Sequence, residues 1–120
     1  MIKIVIEHHV NSFKGLFYYC NSINSIFFKK FYRNNVTNMS YMFYGFSSLK
    51  ELNLSNFKTN NVNDMTGMFY NCSSLKELNL FNFNTNNATN MNHMFLECSD
   101  ELKNKIREQF KNIRLNIKID

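Results

Sequence analysis

The sequence repeats itself at an offset of 26 residues. Residues 36–61, VTNMSYMFYGFSSLKELNLSNFKTNN, are followed without a gap by residues 62–87, VNDMTGMFYNCSSLKELNLFNFNTNN. Met39/Met65, Met42/Met68, Phe43/Phe69, Leu49/Leu75, Leu52/Leu78, Leu54/Leu80 and Phe57/Phe83 fall in register. A unit this small cannot bury its own apolar side chains, so a repeat of this period has to stack on its neighbours. The frame runs forward through Ala88, Met91, Met94, Phe95 and Cys98 and stops at Asp100. Backward it runs through Val10, Phe13, Leu16, Phe17, Cys20, Ile23, Ile26, Phe28 and Phe31, and one step further puts Ile2 under Leu54 and Val5 under Phe57. The expected organisation is a solenoid over 1–98, with a partial coil at 1–9, full coils at 10–35, 36–61 and 62–87 and a partial coil at 88–98, followed by a cap over 99–120.

Each coil follows one script. Val36, Met39, Met42, Phe43 and Phe46 have the spacing of one face of a short helical turn. Thr37 or Asn38 (Asn63 or Asp64 in the next coil) is placed to cap it. Gly45 and Asn71 share a column and are the residues that tolerate a left-handed ending. In LKELNLSNF, Leu52 and Leu54 point in while Glu51, Asn53 and Ser55 point out, the period of a short strand. The spacing therefore predicts one helical turn and one strand per coil, with strands pairing in parallel about 4.8 Å apart. The Asn34/Asn60/Asn86 and Asn35/Asn61/Asn87 columns are expected to form side-chain amide ladders.

After Cys98 the frame breaks. Ser99-Asp100-Glu101 reads as a cap and an acidic first turn. Leu102, Ile106, Phe110 and Ile113 continue as one face of an amphipathic helix, and Leu115, Ile117 and Ile119 alternate as a final strand. Met1 to Glu7 also reads as a strand. Its Ile2, Ile4 and Ile6 leave a parallel edge open, so the chain either self-associates there or is a piece of a longer array.

Composition narrows the function. The net charge is +5, but the surplus lies in the first coil (Lys14, Lys29, Lys30, Arg33) and the tail. That reads as a solvated face, and nucleic-acid binding, which needs a denser basic stripe with a motif, is not expected. No apolar run approaches the length of a membrane span, and MIKIVIEHHV is too short for a signal-peptide apolar region.

VTNMSYMF, SSLKEL and SNFKTN, with their counterparts one period on, resemble the 26-residue repeat of BspA-type leucine-rich-repeat surface proteins, also described as the mycoplasma lipoprotein-type repeat. The resemblance is good over 36–98, weak over 2–35 and absent in the tail. It implies a right-handed parallel β solenoid of leucine-rich-repeat type, here with a C-terminal helical cap. It also implies proteins of the cell surface that bind host or matrix proteins and other cells.

Chemistry-bearing residues do not converge in the sequence. Cys20, Cys72 and Cys98 share a column with Phe46, so they are expected to fill apolar space. Cys72 and Cys98 lie on adjacent coils at a spacing that just suits a disulfide, but a buried pair pointing the same way argues against one. His8 and His9 fall in turn columns. His93, Glu97 and Cys98 look like a triad, yet His93 belongs to an outward column (Gly15, Tyr41, Gly67) and Cys98 to an inward one. No C-x-x-C, paired-histidine or glycine-rich phosphate motif is present. Neither enzyme chemistry nor a metal or cofactor is expected. Glycosylation sequons, among them those at Asn35, Asn53 and Asn71, fall inside the repeat pattern and read as part of it.

The remaining signal is on the outward strand columns: Phe27 and Lys29; Glu51, Asn53 and Ser55; Glu77, Asn79 and Phe81. Phe27 and Phe81 replace Asn and Ser there, and Tyr41 stands outward in a glycine column. These nine residues are the candidate surface for a protein partner. The alternative is a structural spacer in a larger surface array, with the aromatics as drift.

Overall fold

The computed structural model describes residues 10–28, 35–113 and 119. Its regular elements are β1 (Glu51–Asn53), β2 (Glu77–Asn79) and α1 (Asp100–Ile113). β1 and β2 pair in parallel with Glu51 opposite Glu77, Leu52 opposite Leu78 and Asn53 opposite Asn79. Parallel bridges Ser12–Asn38, Asn38–Asp64 and Asp64–Asn90 keep the same offset. The strands are shorter than LKELNLSNF predicts, and residues 24–28, in the strand columns of the first unit, form none.

Most bonding between units comes from the other half of the repeat. The N–H groups of Phe13, Gly15, Phe17 and Tyr19 donate to the carbonyls of Asn38, Ser40, Met42 and Tyr44 at 2.8–3.0 Å. Met39, Tyr41, Phe43 and Gly45 donate in the same way to Asp64, Thr66, Met68 and Tyr70, and Met65, Gly67, Phe69 and Asn71 to Asn90, Asn92, Met94 and Leu96.

Here the expected helical turn is corrected. Met42 N–H donates to the Met39 carbonyl, Tyr44 to Tyr41 and Phe46 to Phe43, a run of overlapping β-turns. Even-numbered residues of this segment thus bond locally and odd-numbered ones bond to the next unit. Beyond its first turn a helix would have pointed its N–H groups along its own axis to carbonyls of the same segment, leaving no sideways row of donors for the neighbour. The alternation is imposed by positive φ at the third residue of every second turn, where a type II turn requires it. Two columns carry it: Gly15, Tyr41, Gly67 and His93 (φ 56–63°), and Tyr19, Gly45, Asn71 and Glu97 (φ 54–69°).

Side-chain caps fall in one column as well. Asn38 Oδ1 accepts from Ser40 N–H at 2.9 Å and Oγ at 2.7 Å, Asp64 Oδ1 from Thr66 N–H at 2.9 Å and Oγ1 at 2.7 Å, and Asn90 Oδ1 from Asn92 N–H at 3.1 Å. These cap turns, not the helix expected from the sequence. The asparagines also link units, but through backbone: the side-chain amides of Asn56, Asn82 and Asn87 donate to the carbonyls of Phe28, Ser55 and Asn60. Within the columns expected to ladder, the Asn87 amide thus reaches the Asn60 backbone carbonyl, an acceptor that needs a donor, and Asn34 lies outside the described residues.

The core is a set of columns. Phe17, Phe43, Phe69 and Phe95 stack with ring centroids 5.5, 5.7 and 5.4 Å apart and planes within 12°. Met39, Met42, Leu49, Leu54, Phe57 and their successors are fully buried around them. Val10, Cys20, Ile23, Ile26, Phe28, Ala88 and Met91 in the outer units are only partly buried, and Leu16 departs furthest: its column mates Met42, Met68 and Met94 are buried, while it is 38 % exposed.

α1 closes the far side. Ser99 Oγ accepts from Leu102 N–H at 3.2 Å, capping the helix start, and Leu102 and Ile106 are fully buried in the core. Lys105 Nζ donates to the Lys76 carbonyl at 3.2 Å and Gln109 Nε2 to the Leu78 carbonyl at 3.0 Å. The helix thereby meets the acceptors on the β2 edge that a further strand would otherwise take. Of the expected final strand only Ile119 is described, half-buried against the core. The Met1–Glu7 strand, His8, His9 and the edge at Ile2, Ile4 and Ile6 lie outside the described residues.

Candidate functional site

Of the nine predicted partner-binding residues, the strand columns bring most to one side. Leu52 and Leu78 are buried, so Glu51, Asn53, Glu77 and Asn79 are forced outward and are exposed, and Ser55 is half-buried. Phe27 is 85 % exposed and Phe81 70 %, the least buried aromatics among the described residues. Lys29 lies outside the described residues. Asn53 and Asn79 are also turn caps, their Oδ1 atoms accepting from Ser55 and Phe81 N–H at 2.9 Å, so Phe81 is held outward by a defined turn.

Two predicted members also make contacts within the molecule. Glu77 is held by Lys105, which also lies 3.4 Å from Glu101; the hydrogen bond to Glu77 pushes the Lys105 pKa up. Glu77 is therefore part of the α1 attachment. Tyr41 is not on the strand face: it is half-buried, its ring lies against Gly67 and it meets Tyr44 edge-on at 5.8 Å.

Tyr41 instead belongs to a second aromatic surface that the sequence reading passed over. Tyr18, Tyr44 and Tyr70 occupy one column and stack at 4.8 Å and 4.8 Å. Tyr19 meets Tyr18 and Tyr44 edge-on at 4.7 and 5.2 Å. A hydrogen bond to Tyr19, then burial and the neighbouring phenols, pushes the Tyr44 hydroxyl up to about 12. The signal was in the sequence as the recurring Phe-Tyr pair at 17–18, 43–44 and 69–70. The buried Phe ladder fixes the phase, so the residue after each Phe lies in a ladder of its own outside.

The thiols are arranged for packing. Cys72 and Cys98 are buried and unbridged, and their Sγ atoms donate to the carbonyls of Phe43 and Phe69 at 3.0 Å. Burial pushes the Cys72 thiol well above its usual value and Cys98 up to about 11, opposite to what a nucleophile needs. His93 and Glu97 are exposed while Cys98 is buried, so these three do not converge. Among the described residues no three of His, Cys, Asp and Glu are grouped to hold a metal ion, and no helix is long and apolar enough to cross a membrane.

A family model described as Mycoplasma protein of unknown function, DUF285, matches residues 7–113. Comparison with curated proteins and with solved structures finds no match.

Proposed function

The chain belongs to the family described as Mycoplasma proteins of unknown function, DUF285, and on that premise we propose that it is a non-catalytic protein-recognition module. Within that reading the stacked units are a right-handed solenoid of the BspA-type leucine-rich-repeat kind, working at a cell surface in adhesion. The partner is a protein and docks on the strand side.

The observation that carries the reading is the exposure of Phe27 and Phe81, 85 % and 70 %, on columns that are otherwise polar. Phe81 is held by the Asn79 turn, and a large ring left in water on such a frame loses little conformational entropy when it is covered, which is the character of an interface anchor. Glu51, Asn53 and Asn79 around them supply a polar rim. The spacer alternative draws on a different observation, the regularity of the backbone ladder, which needs no ligand to complete it.

The test is a pull-down from host-cell extract and extracellular matrix with the wild-type chain beside Phe27→Ser/Phe81→Ser. The two are first matched by circular dichroism and thermal unfolding. Recognition predicts a partner retained by the wild type and lost by the double variant. Equal retention would move the interface off the strand side, and no retention by either would leave the spacer.

A further inference from the structure

The tyrosine column is a chemical site as well as a surface. Tyr18 and Tyr44 lie nearly parallel, 9° apart, with centroids at 4.8 Å, and Tyr44 and Tyr70 lie at the same separation tilted by 37°. The positions are set from beneath. Phe17 and Phe43, one residue earlier, stack at 5.5 Å in the core, and the bonds Phe17 N–H to Met42 carbonyl and Tyr19 N–H to Tyr44 carbonyl, both 2.8 Å, clamp the backbone on either side of Tyr18. Tyr18 and Tyr19 are each 51 % exposed, so a bulky oxidant reaches the outer end of the cluster. Tyr44, met edge-on by the Tyr19 ring at 5.2 Å, joins the exposed pair to Tyr70 and Tyr41.

Phenols so held are poised for one reaction that isolated tyrosines undergo only on collision. Phenoxyl radicals couple through the ring carbons next to the oxygen-bearing carbon, and holding both partners in place raises their effective concentration by orders of magnitude.

We propose that this column is an oxidative cross-linking site, in which a haem-peroxidase-class oxidant with hydrogen peroxide joins Tyr18 to Tyr44 and staples unit 10–35 to unit 36–61. Each phenol gives up one electron and its hydroxyl proton. The two radicals form one carbon–carbon bond, and the hydrogens on the joined carbons shift to the oxygens, restoring both hydroxyls. Peroxide takes up the two electrons and two protons and leaves as two waters. The product is the same chain less two hydrogen atoms, closed across one period of the repeat. Such a closure restricts the unfolded chain in the way a disulfide does, and none of the three cysteines is in a bridge.

The experiment treats the full chain, dilute enough to suppress collisions, with a haem peroxidase and hydrogen peroxide, with free tyrosine coupled in a parallel reaction as control. The expected result is biphenol fluorescence in the monomer band, a mass lower by two hydrogens, and a digest in which the peptides carrying Tyr18 and Tyr44 are joined. The cross-linked chain unfolds at higher temperature than the untreated one. Tyr44→Phe keeps the ring and the stack, matches the wild type by circular dichroism, and loses most of the monomer fluorescence, while Tyr32→Phe keeps it. Fluorescence confined to dimers and larger species overturns the proposal. So does a monomer signal that survives Tyr44→Phe, or a dark monomer while the control couples.

Discussion

Gly67 shows what the left-handed columns demand. With φ near +60°, a side chain in these columns is thrown onto the same column of the next unit: the ring of Tyr19 lies on Gly45 and that of Tyr41 on Gly67. A Cβ added at Gly67 would sit 2.6 Å from Tyr41 Cε1, and one at Gly45 would sit 2.6 Å from Tyr19. A large ring in one unit therefore requires a glycine in the next, which is why the columns read Gly, Tyr, Gly, His and Tyr, Gly, Asn, Glu. Gly67→Ala is expected to lower stability by about 1–3 kcal/mol, combining left-handed strain with displacement of the Tyr41 ring. The strain and the contact separate in a double-mutant cycle by urea unfolding. With Tyr41→Ala in place, Gly67→Ala should cost only the strain, and a cost unchanged by Tyr41→Ala would refute the contact.

At the scale of elements, α1 and the turn segments differ in how much of them can be read from the sequence. The helix announces itself through Ser99, two acidic residues and apolar positions four apart, and its hydrogen bonds close within it. The turn segments share the apolar spacing of a helix, because a run of overlapping β-turns also returns a side chain to the core every three or four residues. What separates the two is the sign of φ at Tyr19, Tyr41, Asn71, His93 and Glu97, and only Asn71 among these, with the glycines, signals it by residue type. The attachment of α1 rests on apolar contact more than on charge. Ile106→Ala is expected to destabilise by about 2–5 kcal/mol as a fully buried side chain, and Ser99→Ala by about 1 kcal/mol through the lost cap. Lys105→Met should cost the least of the three, since the Lys105 and Glu77 side chains are 39 % and 67 % exposed and water screens the pair. Denaturant midpoints for the three variants check this order, and a dominant Lys105 effect would reverse it.

The whole molecule is governed by register. The same set of unit-to-unit bonds recurs every 26 residues, so removing residues 62–87 should leave a chain that refits itself. Met39 N–H would then meet the Asn90 carbonyl in place of that of Asp64, and Lys105 would find Glu51 where Glu77 had been. The shortened protein is expected to keep its circular dichroism signature and a cooperative transition at a lower temperature, because one unit of buried columns is gone. Deleting half that length, residues 62–74, instead sets Asn82 in the buried Phe69 column and Glu77 in the Asp64 cap column, and should abolish folding. Equal loss in both deletions would show that the units do not stack independently of their order.

The sequence by itself determined the period, the columns that are apolar, a cap at Thr37 or Asn38 and at Asn63 or Asp64, and the helix that follows the last unit. These follow from side-chain chemistry repeated at a fixed spacing, which is visible one residue at a time. The tertiary structure decided which N–H groups bond inside a unit and which bond to the next, that the Tyr41 ring lies on Gly67, and that Glu77 is taken by Lys105. Each of those depends on the backbone sign of φ or on a neighbour brought close from 26 or more residues away, and neither is written in the local pattern of residue types.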